Sequence, residues 1–293
     1  MDPDAESPHT DDMMLAIMKA LRYAFALLVC TVVFGIAQAQ QGPPKPKRIL
    51  AIGQTKGFQH DSVSTGLATM WKMGRDTGLW DTYIKTDCQL ITKKKLQGNA
   101  KNLDYFDAVY FYTTGELDLD DSQKADLISF VKEDGKGFLG GHSAIDTNYK
   151  WPEYGEMVGA YFDQHPWGTF EAPVIIEDRA SPMTALFPAH FVVRDEIYQP
   201  SSIWSRDKVH VLARLDETKI DLKNPRVHRT DGDFAVAWIK TFGKGRVFYT
   251  TFGHVEEVYD RRDMQQLYRE AAKWCLRLTD HDVSSHAKTS PTE

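Results

Sequence analysis

Short, nearly continuous apolar runs, each followed by a longer amphipathic stretch, constrain this chain more than any other feature. Arg48-Ile49-Leu50-Ala51-Ile52-Gly53 has no polar alternation, as expected of a strand covered on both faces. Ser62 then offers a helix N-cap, and Leu67, Met70, Trp71 and Gly74 keep helical spacing. The rhythm repeats: strands over 82–86 and 108–112, a helix opening at Asp120, and a strand over 137–141 running straight into His142-Ser143-Ala144. Strand–helix–strand alternation implies parallel strands joined by right-handed crossovers, hence a doubly wound, mostly parallel α/β sheet. Ligands of such sheets bind beyond the carboxyl ends of the strands, which places His60, residues 113–116 and His142 on one rim.

From Trp167 onward the rhythm changes. Residues 170–176, 190–193, 209–215, 235–241 and 246–252 are strand-like with no long helix between them. They predict an antiparallel extension of the sheet, closed by a helix over 263–278. A length of 293 residues with 42% hydrophobic side chains fits one large domain, placed here at 47–278. The polar stretch 279–293 reads as a disordered tail.

The first residues carry a different signal. Met18-Lys19-Ala20-Leu21-Arg22 is a short basic start, residues 24–37 are apolar, and Ala37-Gln38-Ala39 fits an A-x-A cleavage site. That order predicts a signal peptide over 1–39, a linker over 40–46, and export to the periplasm or the cell exterior. The acidic stretch before Met13 is foreign to such a peptide and suggests a start at Met13, Met14 or Met18. The competing reading is an uncleaved anchor. The apolar run is shorter than the ~20 residues a spanning helix needs, so no stable span is expected after cleavage. A net charge of -6 without a sizeable basic block argues against nucleic acid as a partner. After cleavage only Cys88 and Cys275 remain, either as one bridge or as two buried thiols.

Five local patterns could carry chemistry. Gly140-Gly141-His142-Ser143-Ala144 ends a strand in small residues and turns tightly, displaying His142 or Ser143 at the top of the sheet. His142 suits a general base or metal ligand. Ser143 as a nucleophile would need G-x-S-x-G, which is absent. Gly253-His254-Val255-Glu256 puts a second histidine after a strand, with Glu256 placed to orient its ring. Alternatively, His254 ligates a metal and the carboxylate supports it from behind. Phe162-Asp163-Gln164-His165-Pro166-Trp167 and Asp195-Glu196-Ile197-Tyr198 add His165, Trp167, Asp195, Glu196 and Tyr198 as pocket residues. Trp151, Tyr154, Trp167, Tyr198 and Trp238 are candidate platforms for a sugar ring. In Gly57-Phe58-Gln59-His60-Asp61-Ser62, His60 and Asp61 precede a helix N-terminus able to hold an anion or a substrate oxygen. His142, His165 and His254, with His60 and a carboxylate, could converge into a set suiting a zinc-like divalent ion, although no HExxH-type spacing is present.

Taken together, the runs 57–62, 140–147, 195–198 and 245–254 resemble the ThuA-like, or trehalose-utilisation, family over roughly residues 47–278. The resemblance implies a flavodoxin-like, class I glutamine amidotransferase-like fold. It also implies that His142 stands where amidotransferases carry their nucleophilic cysteine, while His254-Val255-Glu256 echoes their His-Pro-Glu motif. A thioester route to glutamine hydrolysis is then unavailable. The resemblance points to sugars. The expectation is an exported protein acting on a sugar or oxidised (keto) glycoside by hydrolysis or elimination. His142 and His254 would do the acid/base work or hold a metal, and Glu256 would orient His254. The alternative is a non-catalytic carbohydrate-binding module. A homo-oligomer is left open.

Overall fold

The computed structural model describes residues 13–23, 45–98 and 100–290. The chain divides into two compact units, Met1–Lys45 and Pro46–Glu293. In the first unit residues 13–23 are helical, while the apolar run and the A-x-A site of the expected signal peptide lie outside the described residues. No helix among the described residues is long and apolar enough to cross a membrane.

The second unit is built on one nine-stranded sheet. Its parallel half comprises β1 (Lys47–Ile52), β2 (Trp80–Lys85), β3 (Ala108–Phe111), β4 (Gly137–Gly141) and β11 (Gly245–Thr250). Its antiparallel half comprises β6 (Thr169–Ile176), β7 (His190–Glu196), β9 (His210–Leu215) and β10 (Ala235–Phe242). The strand order is β2-β1-β3-β4-β11-β10-β9-β6-β7, with the change of direction between β11 and β10. A small separate pair joins β5 (Phe162–Gln164) to β8 (Gln199–Pro200).

The continuous apolar runs are buried because helices cover both faces. On one side α1 (Val63–Thr77) and α4 (Arg262–Cys275) bring Leu67, Met70, Leu267 and Tyr268 onto Ile49, Tyr110 and Phe248. On the other, α2 (Asp121–Lys132) and α3 (Pro152–Val158) bring Phe130, Val131, Tyr154 and Met157 onto Leu50, Val109 and Phe138. A capping box starts α2: Asp120 accepts from Gln123 N while the Gln123 side chain accepts from Asp120 N. Ser62 does not cap α1. Its hydroxyl instead meets the loop that carries His254.

The doubly wound core with an antiparallel extension is the architecture expected from the strand rhythm. Local boundaries shift where pairing overrides pattern. β7 runs on through Arg194-Asp195-Glu196, where apolar alternation fails, because Thr169, Phe170 and Glu171 of β6 complete its ladder. Trp151, Tyr154 and Trp238 are core side chains and not sugar platforms. Cys88 and Cys275 are unpaired and buried, and burial pushes the Cys88 thiol up to about 12. Against the expectation of a disordered tail, residues 279–290 form no helix or strand yet lie on the body of this unit. Val283 packs on the core, and Arg214 donates to Thr289 O.

Candidate functional site

Three histidines arrive from the carboxyl ends of parallel strands. His60 follows β1, His142 follows β4 directly, and His254 follows β11. At His142 the chain turns sharply enough to take φ to +39°, a conformation that costs a side-chain-bearing residue of order 1–3 kcal/mol. Gly141 makes the turn feasible, since a Cβ there would stand 2.6 Å from the Tyr110 hydroxyl. The turn is held from both ends. His142 Nδ1 lies 2.6 Å from Thr251 O, and the Tyr249 hydroxyl donates to His142 O at 2.8 Å. A carbonyl can only accept, so Nδ1 carries the proton and Nε2 presents a lone pair.

His254 rides on a loop fixed just as closely. Gly253 has φ +121°, and a Cβ there would run into the Tyr259 hydroxyl. The Ser62 hydroxyl lies 2.8 Å from both Gly253 O and His254 O, and Tyr112 donates to Gly253 O at 2.8 Å. Asp195, fully buried, accepts from Gly253 N at 2.7 Å and from Val255 N at 3.3 Å. Burial pushes its carboxyl up to about 7, against the backbone hydrogen bonds that favour the anion. Asp195 is therefore a positioning residue for the His254 loop.

The carboxylate of the cluster is Glu196, at the end of β7. Its Oε2 lies 3.2 Å from His254 Nδ1 and 3.8 Å from His142 Nε2, and those two nitrogens are 3.3 Å apart. His60 completes the group, with its Nε2 3.2 Å from the Tyr198 hydroxyl and its buried Nδ1 without a hydrogen-bond partner. One ligand atom from each of His60, His142, Glu196 and His254 lies within 4.8 Å of the others. Tetrahedral zinc ligands at roughly 2.0–2.2 Å from the ion stand about 3.3–3.6 Å apart, and the inner three atoms, at 3.2, 3.3 and 3.8 Å, need only small shifts to reach that spacing. The fixed Nδ1–H of His142, the unpartnered nitrogen of His60 and the mixed N/O donor set all fit a divalent ion.

The electrostatics favour neutral rings at two of the three histidines. Burial, reinforced by the charge on His254, lowers His60 to about 4. Complete burial and the neighbouring His60 hold His142 well below the ordinary histidine range. For His254, burial pulls downward but the hydrogen bond and charge of Glu196 outweigh it, and its pKa is raised. For Glu196, burial works upward, yet His254, His165 and His60 hold it low. The cluster thus offers an ionised carboxylate, two imidazoles that resist protonation and a third paired to the carboxylate.

Several expected roles move. Glu256 does not orient His254: it sits exposed on the helical turn Glu256–Asp260, where its Oε1 accepts from Thr65 Oγ1. Once Gly253 bends the chain, sequence neighbours of His254 face away from its ring, and Glu196 takes the place meant for Glu256. His165 stands on the other oxygen of Glu196, at 3.4 Å, with its side chain 38% exposed. It lies outside the convergent metal group, whose third imidazole is His60. Trp167 packs on Phe170 and Phe234 and donates to Asp221 O, away from the histidines. Asp61 is exposed. Tyr198 is in place, its ring centroid 4.4 Å from that of His142, with its N–H on Thr251 Oγ1. Ser143 Oγ is buried without a partner, so no base activates it.

Sequence reasoning missed the outer aromatics. Phe58, 63% exposed, meets His60 edge-on at 4.7 Å and lies 6.4 Å from His254. Phe162 stacks on His165 at 5.8 Å, and Tyr149 donates to Asp146 Oδ1. The one mark of Phe58 in the sequence is its place two residues before His60 in the same loop.

The fold and this centre define an α/β protein with a histidine–carboxylate cluster at the carboxyl rim of its parallel strands. The sequence profile of ThuA, described as trehalose utilisation, matches residues 48–275, and the chain belongs to that family. A crystal structure of a ThuA-like protein from Bacteroides uniformis ATCC 8492 is similar at a TM-score of 0.65 and 21% identity, covering 80% of this chain and 94% of that one. A second, a ThuA-like protein from Parabacteroides merdae ATCC 43184, gives a TM-score of 0.62 and 15% identity over 84% of this chain and 94% of that one. At these identities the likeness is one of fold. No curated protein matches the chain.

Proposed function

We propose that this chain is a metal-dependent enzyme acting on a sugar, with an oxidised (keto) glycoside as substrate and elimination of the aglycone as the reaction. The observation that carries the reading is the convergence of His60, His142, His254 and Glu196 from four separate segments onto one buried point. A divalent ion held by these residues would supply a Lewis acid for a carbonyl oxygen. His142 and His60 stay neutral and His254 is held by Glu196, so the protein contributes a fixed donor set that needs little rearrangement. His165, part-exposed and 3.4 Å from Glu196, is placed to carry a proton.

The balance of the step is simple. A base removes the proton from the carbon lying between the carbonyl and the anomeric carbon. The electron pair forms a C=C bond, the anomeric C–O bond breaks, and the aglycone oxygen leaves and takes up a proton. Phe58 and Phe162 offer apolar faces to the C–H side of a sugar ring. The order basic start, apolar run and A-x-A site supports action outside the cytoplasm.

The test uses tag-free protein loaded with zinc, manganese or cobalt. It compares release of nitrophenol from a nitrophenyl ketoglycoside with release from the parent glycoside that lacks the carbonyl. Release from the ketoglycoside alone, lost in His142→Ala and on chelation, is expected. Metal-loaded protein that binds the ketoglycoside but releases nothing would overturn catalysis and leave a binding module.

A further inference from the structure

A second cluster of imidazole and carboxylate lies outside the site just described, where the carboxyl-terminal segment meets the sheet. Asp178 follows β6, His210 opens β9, and His281 comes from the tail; one ligand atom from each lies within 4.8 Å of the others. His210 Nε2 is 2.8 Å and His281 Nε2 is 2.9 Å from the same oxygen, Asp178 Oδ2. All three side chains are 10–15% exposed.

The groups around these atoms are arranged as they are around metal ligands. Asp178 Oδ1 accepts from Ala180 N and Ser181 N, which fixes the carboxylate and leaves Oδ2 for the cluster. His210 Nδ1 lies 2.6 Å from Ser284 O and must donate to it. A neutral His210 therefore turns the lone pair of Nε2 towards a carboxylate oxygen that also has only lone pairs to offer. Two acceptors at hydrogen-bond distance repel unless a cation lies between them. A second proton on His210 would satisfy two atoms. His281 can donate to the same oxygen from Nε2, and a divalent ion would take all three atoms as ligands once they open from 2.8 and 2.9 Å to the wider spacing of zinc ligands. His286, whose ring is 4.9 Å from that of His210, has its Nε2 committed to Val211 O.

We propose that Asp178, His210 and His281 form a divalent-cation site of the zinc class that clasps the carboxyl-terminal segment onto the sheet. Two of the ligands belong to the body of the domain and one to the tail, so the ion closes a loop that otherwise rests on scattered polar contacts and on Val283. A ligand set of two nitrogens and one oxygen leaves a fourth position for water, and the site adjoins no part of the His142 cluster. This inference does not depend on the proposed reaction.

Limited trypsin digestion of tag-free protein, in zinc and in chelator, reads the clasp at Lys288. Zinc is expected to slow cleavage after Lys288 by about tenfold or more, because cutting tracks the population of the released tail. His281→Ala should cleave at one rate in both conditions and bind one fewer equivalent of zinc by mass spectrometry, while still binding at the His142 cluster. Equal rates for the native protein in zinc and chelator would overturn the proposal. So would zinc-dependent protection that survives in His281→Ala. A tail held only by hydrogen bonds, from His281 to Asp178 and from His210 to Ser284 O, gives the first of these results.

Discussion

The two halves of the sheet contribute to one site in different ways. The parallel half delivers imidazoles: His142 leaves β4 directly, and His60 and His254 sit in the loops beyond β1 and β11. The antiparallel half delivers the carboxylate and the phenol from β7, the far edge strand, whose chain returns over the rim after Glu196 and pins Tyr198 N to Thr251 Oγ1. A parallel strand points its carboxyl end at the rim by topology alone. A strand at the antiparallel edge has no such rule, and its residues reach the site only because Asp195 and Tyr198 bond to the His254 loop. The donor set is thus assembled from a regular part and an irregular part.

The largest effect should come from removing donors of either half. His142→Ala and Glu196→Gln should each lower divalent-metal affinity beyond the 10–100-fold typical of outer supporting residues, by competition with a chromophoric chelator. If Glu196→Gln bound metal normally, the antiparallel half would be a wall of the pocket and not part of the centre.

Next comes the joint between the halves. Gly253→Ala places a Cβ at φ +121° against Tyr259, and should cost about 2 kcal/mol in urea unfolding. The same variant should weaken metal binding, because the backbone that carries His254 must shift. Unchanged affinity would mean that the loop adapts freely.

A smaller effect is expected in the pH dependence of metal-free protein. Asp195 is raised to about 7, above its unfolded value, so its contribution is present at low pH and lost as pH climbs towards 7. His60 is depressed to about 4, so folding gains from it as pH rises from about 4 towards the unfolded value near 6.5. The two slopes oppose each other across that window. In Asp195→Asn, stability should therefore rise more steeply with pH between about 4 and 6.5 than in the native chain, by urea melts in chelator. An unchanged slope would show that Asp195 does not titrate there.

The smallest effect separates the carboxylate expected from sequence from the one that acts. Glu256→Gln should leave metal affinity unchanged and shift stability by no more than about 0.5 kcal/mol, since it loses only an exposed contact with Thr65. A loss matching that of Glu196→Gln would restore Glu256 to the site.

These contrasts follow how much of the molecule could be read from its residues. The strands 108–111 and 137–141, the turn at Gly141-His142 and the histidines at 60, 142 and 254 were all legible, because burial on both faces and tight turns leave marks within a few residues. The pairing of His254 with Glu196 left none: 58 positions separate them in a chain of 293. The Asp178–His210–His281 group was equally silent, since its three members come from a loop after β6, the start of β9 and a polar tail.

By itself, the sequence determined the alternation that forces parallel strands, and with it the rim where His60, His142 and His254 emerge. Periodicity and turn chemistry act over short range, so they are written locally. Only the tertiary structure decided which carboxylate faces those imidazoles, that Trp151 and Trp238 fill the core, and that His281 returns to the sheet. Those outcomes depend on where an edge strand folds back and on how Gly253 turns one ring away from its chain neighbours, which is geometry summed over the whole sheet.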